Sequence, residues 1–333
     1  MTTQRTALVL GATGGIGGAV ARRLASGGWA VRALHRDPAK ASAGHDAAEQ
    51  DAGAGFTWIK GDAMRAGDVV AAAAGASLIV HAVNPPGYRN WGTLVLPMLE
   101  SSIAAAKASG ARILLPGTVY NYGPDAFPAP DEEAPQNPLT RKGAIRVEME
   151  RRLREAAGAG VRTLIVRAGD FFGPGAANSW FSQGLVKPGR RLRSVTRPGA
   201  AGVGHQWAYL PDVAETMVRL LEREDALAPF ARFHMDGHWD PDGTRMIEAI
   251  RRAAGDPDLA VRAFPWWLLA LASPAVPLFR ELREMRYLWR TPVRMSNARL
   301  LALLGEEPRT PLDEAVRATL AGLGCLPAAP AGA

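Results

Sequence analysis

Short apolar runs alternate with helix-like segments through the first half of the chain. The runs predict strands at 7–10, 29–35, 56–60, 78–83, 112–116 and 161–166, and the segments between them predict helices at 19–26, 90–109 and 140–157. Pro97 is expected to interrupt the helix at 90–109, because proline lacks the amide that a helix interior uses. Strands that alternate with helices are typical of a parallel sheet covered on both faces. We therefore predict an α/β fold with a doubly wound parallel Rossmann sheet.

The alternation weakens in the second half of the chain. We predict an irregular segment at 175–204, a helix at 213–223 with Asp212 as its cap, a strand at 233–236 and a helix at 313–322. The predicted Rossmann domain spans 1–170, and 206–236 is expected to return to it. The range 171–333 is otherwise predicted to form a smaller, mostly helical substrate domain.

A glycine-rich turn follows the first strand. The stretch from Thr6 to Gly18 reads TALVLGATGGIGG, so a strand runs into glycines and then into a helix. Gly11 allows a sharp turn, Gly14 allows backbone amides to approach a pyrophosphate, and Gly17 allows the helix to pack on the strand. The helix N-terminus then faces the phosphates. Because this turn lies in the first strand–helix unit of an alternating chain, dinucleotide binding is favoured over a turn without a ligand.

Composition and charge change this picture little. The 333 residues, 47% hydrophobic and 21% charged, can bury a sizeable core. The net charge of +7 comes mostly from scattered arginines without a nucleic-acid motif, so no nucleic-acid partner is expected. The single cysteine, Cys325, excludes an internal disulfide framework and a thiolate cluster. The histidines at 81, 205 and 234 lack metal-ligand spacing, and we expect no metal.

The sequence also bears on location. The first strand begins too close to Met1 for a signal peptide, and the apolar run at 266–279 contains two prolines and is too short to span a bilayer. We therefore expect a cytoplasmic protein with no membrane partner.

The end of the second strand bears on the choice of cofactor. Here His35 is followed by Arg36 and then by Asp37. A cation would pair with the 2′-phosphate of NADP, whereas a carboxylate would accept a hydrogen bond from the 2′-hydroxyl of NAD. Because Arg36 comes first, NADP is favoured and NAD is the second choice. The alternative is that Arg36 is only a solvated loop cation.

These motifs together resemble the extended short-chain dehydrogenase/reductase superfamily, of the NAD-dependent epimerase/dehydratase type. The glycine turn is similar to its nucleotide motif, Asp62 to its adenine contact, and His81-Ala82 to its fourth-strand signature. Further similar segments are Thr118–Gly123, Arg167–Pro174 and 301–320, so the resemblance covers nearly the whole chain. It implies a cofactor held by Gly11, Thr13, Gly14, Gly15, Ile16, Gly17, His35, Arg36, Asp62, Ala63, His81, Ala82, Val83, Pro116, Gly117, Arg146, Asp170 and Phe171.

The sequence departs from this family at its catalytic motif. The family uses Tyr-x-x-x-Lys, but alignment on Glu150 and Leu153 places Lys142 and Arg146 at those positions. Lys-x-x-x-Arg-x-x-x-Glu is similar to the atypical branch that contains isoflavone and phenylcoumaran benzylic ether reductases, in which a lysine on this helix is the proposed proton donor or base. The resemblance thus implies a catalytic set of Lys142, Thr118 and Arg146. The alternative is that Lys142 is a solvated cation and Arg146 a surface partner of Glu150 one turn away.

The substrate stays open at this point. Where nucleotide-sugar enzymes of the family carry Asn at the exit of the sixth strand, this sequence has Asp170, whose charge would repel a diphosphate. Five aromatic side chains favour a small apolar or aromatic substrate: Phe171, Phe172, Trp180, Trp207 and Tyr209. The alternative is that these rings belong to the hydrophobic core.

The leading hypothesis is an NADP-dependent atypical reductase of a carbonyl or enone-type small molecule. One alternative is a nucleotide-sugar epimerase or dehydratase with retained NAD. The other is a non-catalytic NAD(P)-sensing regulator that resembles the fungal nitrogen-metabolite-repression regulator, since fold alone does not fix function. The resemblance also implies a homodimer through 94–109 and 140–157, with a monomer as the alternative.

Overall fold

The computed structural model describes residues 4–46, 56–85, 90–176, 178–273 and 277–326, which divide into two compact units. Unit 1 contains the described residues within Met1–Asn121, Arg141–Arg167 and Val213–Phe233, and unit 2 contains those within Tyr122–Thr140, Ala168–Asp212 and His234–Ala333. The strands are β1 Thr6–Leu10, β2 Ala30–His35, β3 Thr57–Lys60, β4 Leu78–His81, β5 Arg112–Thr118, β6 Thr163–Ala168, β7 Asp170–Phe172, β8 Ser194–Arg197, β9 His205–Tyr209, β10 Phe230–His234, β11 His238–Asp240 and β12 Ala260–Ala263. The helices are α1 Gly15–Ser26, α2 Pro38–Asp46, α3 Ala66–Ala72, α4 Trp91–Ser109, α5 Arg141–Gly158, α6 Leu210–Leu221, α7 Arg245–Ala254, α8 Trp266–Ala272, α9 Pro277–Glu284, α10 Ala298–Leu304 and α11 Leu312–Gly322.

A seven-stranded parallel sheet forms the centre of unit 1, in the order β10-β6-β5-β4-β1-β2-β3. β1 lies between β2 and β4, with Val9 opposite Ala33 on one side and Val80 on the other. The strand order reverses between β1 and β4, and in sheets of this kind ligands bind at the carboxyl ends of the strands on either side of the reversal. The doubly wound Rossmann sheet expected from the sequence is confirmed.

The core of unit 1 explains why its central strands can be predicted from apolar runs in the sequence. Leu8, Ile79 and Ile113 of the sheet are buried in one cluster with Leu99 of α4 and Leu153 of α5. Parallel strands with helices on both faces need apolar residues at nearly every position. They therefore appear in the sequence as continuous apolar runs.

The expected interruption of the long helix at Pro97 is wrong. α4 runs unbroken through Pro97, which is exposed, as is Thr93 four residues earlier. A proline removes one helical hydrogen bond, which here frees the carbonyl of Thr93 on the solvent face, where water can satisfy it. On the opposite face, Val95 and Leu99 are buried, and this packing keeps the helix continuous.

Two neighbouring strands at one side of the sheet, β6 and the edge strand β10, differ from their expected limits. β6 begins at Thr163 rather than at residue 161, and β10 covers 230–234 rather than 233–236. Arg232 interrupts the apolar pattern of β10, so the sequence does not predict the first residues of this strand. This arginine is tolerated in the strand because its Nη1 lies 3.8 Å from Glu150 Oε2, so its charge has a buried counter-ion.

Unit 2 contains two small sheets that the sequence did not indicate, β11-β9-β7 and β12-β8. The segment expected to be irregular, 175–204, includes β8, which pairs in parallel with β12. β12 is exposed along its whole length, and Val195 is the single fully buried residue of β8, so neither strand has the apolar alternation by which strands are recognised.

Asp212 does not cap a helix as expected. α6 begins earlier, at Leu210, and Asp212 lies in its first turn. Its carboxylate accepts hydrogen bonds from the amide and the hydroxyl of Thr310, at 2.8 and 2.6 Å. It thus ties two segments of unit 2 together.

The single cysteine is also buried in unit 2. Cys325 Sγ lies 3.5 Å from the carbonyl oxygen of Lys187, and the Gly189 amide donates to the Leu323 carbonyl at 2.8 Å. None of the described helices is both long and apolar enough to cross a bilayer.

Candidate cofactor and active site

The glycine turn after β1 is built by close backbone approach. Gly11 has φ +92°, and a Cβ atom there would lie 2.6 Å from the carbonyl oxygen of Ala82 at the end of β4. A Cβ atom at Gly17 would collide with the carbonyl of Gly11. These two positions accept only glycine without a backbone shift, because the turn needs a left-handed residue and the helix must contact the strand.

The first turn of α1 offers its amides to a ligand. Gly14 occupies the N-cap and has no side chain to cap the helix, and its own amide donates to the Gly11 carbonyl at 2.9 Å. Gly15, Ile16 and Gly17 begin the helix, while Thr13 and Gly14 are exposed beside it. Backbone N–H groups together with the positive end of the helix dipole form an anion site suited to a pyrophosphate.

The two charged residues that follow β2, Arg36 and Asp37, have different surroundings. Asp37 accepts a hydrogen bond from the Lys40 amide at 3.2 Å and so closes the first turn of α2. The Asp37 amide donates to His35 Nδ1 at 3.1 Å, which fixes the bend after the strand. Arg36 lies between them with its side chain exposed. At this tip the acid has a local structural partner and the cation projects into solvent.

The end of β3 contributes a short turn. Asp62 Oδ1 accepts from the Met64 amide at 3.0 Å, and the Asp62 amide donates to Asp68 of α3 at 2.9 Å. Asp62 and Ala63 are half-buried. They stay available as the adenine contacts that the sequence suggested.

His81 ends β4 as a buried, uncharged imidazole. Its Nδ1 lies 2.8 Å from Ser102 Oγ of α4, and its buried Nε2 has no hydrogen-bond partner in the described part of the chain. Burial, and secondarily the positive charge of Arg146, lowers the pKa of His81 to about 3. This group therefore provides a dipole and does not exchange protons near neutral pH. Ala82 and Val83 follow it, half-buried, at the edge of the sheet.

The end of β5 presents a hydroxyl. Pro116 and Gly117 are buried, and a Cβ atom at Gly117 would lie 3.1 Å from the Cβ of Arg167 on β6. Thr118 follows, and its carbonyl accepts from Arg167 Nη1 at 2.5 Å. The Oγ1 of Thr118 is buried without a hydrogen-bond partner among the described residues. A bound oxygen atom would satisfy it.

Lys142 and Arg146 lie on the buried face of α5. Their exposed fractions are 4% and 7%, so the alternative that they are surface cations is wrong. Lys142 Nζ is 5.9 Å and Arg146 Cζ is 5.2 Å from the ring centroid of Trp91, at the start of α4. Arg146 Nη2 donates to Asn84 Oδ1, just beyond β4, at 3.3 Å. Both cations therefore lie at the carboxyl edge of the sheet, beside an aromatic face.

A buried network fixes the register of α5. Glu150 Oε1 accepts from Asn121 Nδ2 at 2.9 Å and from Arg167 Nη2 at 2.5 Å. Glu150 is one helical turn beyond Arg146 and two beyond Lys142, so all three share one face. Anchoring Glu150 to the sheet holds the two cations at the strand ends.

A family model for NAD-dependent epimerases and dehydratases matches residues 7–234. The chain belongs to this family. No curated protein sequence matches it significantly.

Solved structures of this epimerase/dehydratase family share the fold of the chain. A proposed epimerase from Burkholderia cenocepacia has 19% identity and a TM-score of 0.74, over 97% of this chain and 98% of the other. A UDP-glucuronic acid 4-epimerase variant from Bacillus cereus, in complex with a fluorinated UDP-glucuronic acid and NAD, has 16% identity and a TM-score of 0.71, over 96% and 98%. The Bordetella bronchiseptica enzyme WbmH, in complex with NAD⁺, has 17% identity and a TM-score of 0.67, over 96% and 98%. At these identities the likeness shows the fold alone.

The remaining site residues expected from the family lie in unit 2. Asp170 and Phe171 begin β7, and Asp170 Oδ2 is 2.8 Å from His205 Nε2. Sequence reasoning did not single out His205 as a partner of Asp170, nor Asn84 and Trp91 as neighbours of the α5 cations. These contacts join segments far apart in sequence, and no local pattern marks them. Within the described ranges, no group of three or more potential ligands could hold a metal ion.

Proposed function

We propose that this family member is an NADP-dependent oxidoreductase that reduces a small, uncharged carbonyl or enone-type substrate. The observation that supports it most is the pair of buried cations, Lys142 and Arg146, at the carboxyl edge of the nucleotide-binding sheet. Removing two positive charges from water is costly, and such an arrangement is typical of a functional site.

Arg36 supports NADP over NAD. Its side chain is exposed directly after β2, where the 2′-position of the adenosine ribose is expected, and Asp37 is engaged in closing α2. A guanidinium can form paired hydrogen bonds with a phosphate, whereas one oxygen of Asp37 is already used by the Lys40 amide.

The catalytic roles follow from position. NADPH, when bound, supplies the hydride. Lys142 would donate the proton that the substrate oxygen takes up, and the hydroxyl of Thr118 would hydrogen-bond to that oxygen. Arg146 would contact the nicotinamide ribose. Asp170 stands at the sequence position where nucleotide-sugar enzymes of the family carry Asn, and it argues against a diphosphate substrate because like charges repel.

A nucleotide-sugar epimerase with retained NAD is the second candidate. It is supported by the similar structures that were solved with NAD and with UDP-sugars. The missing Tyr-x-x-x-Lys motif and Asp170 both count against it.

Cofactor choice is tested by calorimetric titration of the protein with NADPH and NADH. Wild type is expected to prefer NADPH, and Arg36→Ala is expected to weaken NADPH binding by about 10- to 100-fold while leaving NADH unchanged. Arg317→Ala, which removes an exposed arginine on α11, is the matched control. Equal affinities of wild type for the two cofactors would contradict the role of Arg36.

The role of Lys142 is tested by turnover of a panel of carbonyl and enone compounds with NADPH. Lys142→Met is expected to lower kcat by about 10²- to 10⁴-fold without changing NADPH affinity, whereas Lys107→Met, on the exposed end of α4, keeps the rate. An unchanged rate in Lys142→Met would remove the assignment. Tight NAD binding with stabilisation by UDP-sugars would instead support the epimerase.

A further inference from the structure

A buried carboxylate–imidazole pair lies in unit 2. Asp170 begins β7 and His205 begins β9, and these strands are parallel neighbours. The Oδ2 of Asp170 is 2.8 Å from the Nε2 of His205, and both side chains are buried. The sheet therefore holds the pair in one geometry.

The pair leaves the second ring nitrogen of His205 open. Because Nε2 faces a carboxylate, it carries the hydrogen, and Nδ1 of the neutral ring is then an acceptor. Among the residues that the structure describes, Nδ1 has no hydrogen-bond partner. A histidine whose tautomer is set by a carboxylate, with its other nitrogen open, can accept a hydrogen bond or a proton from a hydroxyl group.

Aromatic rings pack against the imidazole of His205. Trp289 stacks on His205 with ring centroids 3.8 Å apart and planes at 5°. Trp207 lies edge-on at 4.8 Å. This surrounding suits the hydroxyl of an otherwise apolar molecule better than it suits a strongly hydrated ion.

Tyr287 adds a second polar group. Its hydroxyl oxygen is buried and has no hydrogen-bond partner in the described ranges, and its ring stacks on Phe127 at 6.3 Å. Burial, and secondarily the charge of Asp170, raises the pKa of Tyr287 above its usual value, so the phenol keeps its proton. Tyr287 lies in the same short helical turn, Met285–Trp289, as Trp289, the ring that stacks on His205. A buried donor without an acceptor is unfavourable until a bound group satisfies it.

We propose that Asp170, His205 and Tyr287 form a substrate subsite in unit 2 that binds an uncharged phenol or alcohol. The ligand hydroxyl donates to His205 Nδ1, and the Tyr287 phenol donates to a ligand oxygen. The charge of Asp170 disfavours a phosphate group here. The inference rests on the proposed reductase for its role in turnover, while binding itself does not require the cofactor.

The test uses the full chain and three matched probes: 4-methylphenol, toluene and 4-methylphenyl phosphate. Titrations are followed in ¹⁵N-histidine NMR spectra, with the His205 resonances assigned from His205→Gln. We expect 4-methylphenol to shift the Nδ1 resonance of His205 and to bind at least about fivefold more tightly than toluene. The phosphate is expected to bind most weakly.

Tyr287→Phe removes only the hydroxyl and is the second arm of the test. It is expected to weaken 4-methylphenol by about 3- to 10-fold and to leave toluene unchanged. Tyr122→Phe removes a tyrosine hydroxyl that is already bonded to His234 Nε2 and to the Asp131 carbonyl, and it is the matched control, expected to bind 4-methylphenol like wild type.

Three results would overturn the subsite: equal affinities for 4-methylphenol and toluene, an unmoved His205 resonance, or tightest binding of the phosphate. NADPH titration of the same samples separates the two proposals. Binding of NADPH without binding of the phenol would contradict only the proposed subsite. Binding of the phenol without binding of NADPH would contradict only the proposed function.

Discussion

Among the buried carboxylates of the described residues, Glu150 and Asp170 are held in different ways. Glu150 of unit 1 is enclosed by donors, with Asn121 at 2.9 Å, Arg167 at 2.5 Å and Arg232 at 3.8 Å. Asp170 of unit 2 faces His205, whose other ring nitrogen stays open within the described residues. A carboxylate surrounded by fixed positive charge holds elements together, whereas one paired with an imidazole sets the polarity of the nitrogen beyond it. Burial of an acid therefore does not by itself distinguish a structural residue from a functional one.

The largest expected effect breaks the network in unit 1. Glu150→Gln leaves the buried guanidinium of Arg167 without its counter-charge, and we expect a loss of about 3–5 kcal/mol in the free energy of unfolding. Chemical denaturation measures it. Glu148→Gln, on the same helix, is the control. The Glu148 carboxylate is paired with Arg151 and Arg152 near the surface, so Glu148→Gln is expected to lower the free energy of unfolding by less than about 1 kcal/mol. A similar small loss in Glu150→Gln would show that Arg167 is stabilised by other groups.

A second prediction concerns His81, which is buried as a neutral ring rather than paired with an acid. Its pKa is about 3 in the folded chain, against an ordinary histidine pKa of 6.5 that applies once the chain unfolds. The unfolded state therefore binds more protons between these values, and stability falls as the pH is lowered. From about pH 7 to about pH 5 the expected loss from this group is about 2 kcal/mol.

The control for this pH effect is His81→Gln, which removes the titrating ring. Denaturation at both pH values should show a shallower pH dependence in the variant, whatever its absolute stability. An unchanged slope would mean that His81 is not the group responsible. Burial lowers the pKa of His238 to about 4, so this residue is expected to cause part of the pH dependence of stability that His81→Gln still shows.

The smallest expected effect lies at Asp170. Asp170→Asn keeps the shape of the side chain and a hydrogen-bonding group towards His205, so we expect a loss of only about 1–2 kcal/mol. Chemical denaturation of Asp170→Asn and Glu150→Gln under the same conditions compares their free energies of unfolding directly. A loss as large as that of Glu150→Gln would make Asp170 a structural residue and erase the contrast between the two carboxylates.

Much of unit 1 could be predicted because its signals are local. A few consecutive residues are enough to predict the apolar strands β1, β4 and β5. The same holds for the glycine turn, which depends on Gly11 and Gly17. The spacing of Lys142, Arg146 and Glu150 at successive fours also placed them on one helix face. Pro97 shows the limit of such rules, because burial of the opposite face outweighed one lost hydrogen bond.

The polar sites were less predictable because their members are far apart in sequence. Asp170 and His205 are 35 residues apart, and no spacing rule connects them. Tyr287 and Trp289 are more distant still and lie in a segment without strong periodicity. The partners of Glu150 come from β6, from β10 and from the short helical turn after β5, so only the assembled sheet shows that this acid is enclosed. Sequence patterns report which residues are buried, but contacts decide what a buried charge does.

Cys325 gives the chain a natural reporter of local opening. It is the single thiol in the sequence, and it is held against the backbone of Lys187. Burial raises the pKa of this thiol, so it reacts slowly while its segment stays packed. Because a reagent reaches it only when the carboxyl-terminal segment separates from the 187–189 loop, the rate of thiol modification measures how often that part of unit 2 opens in the native protein.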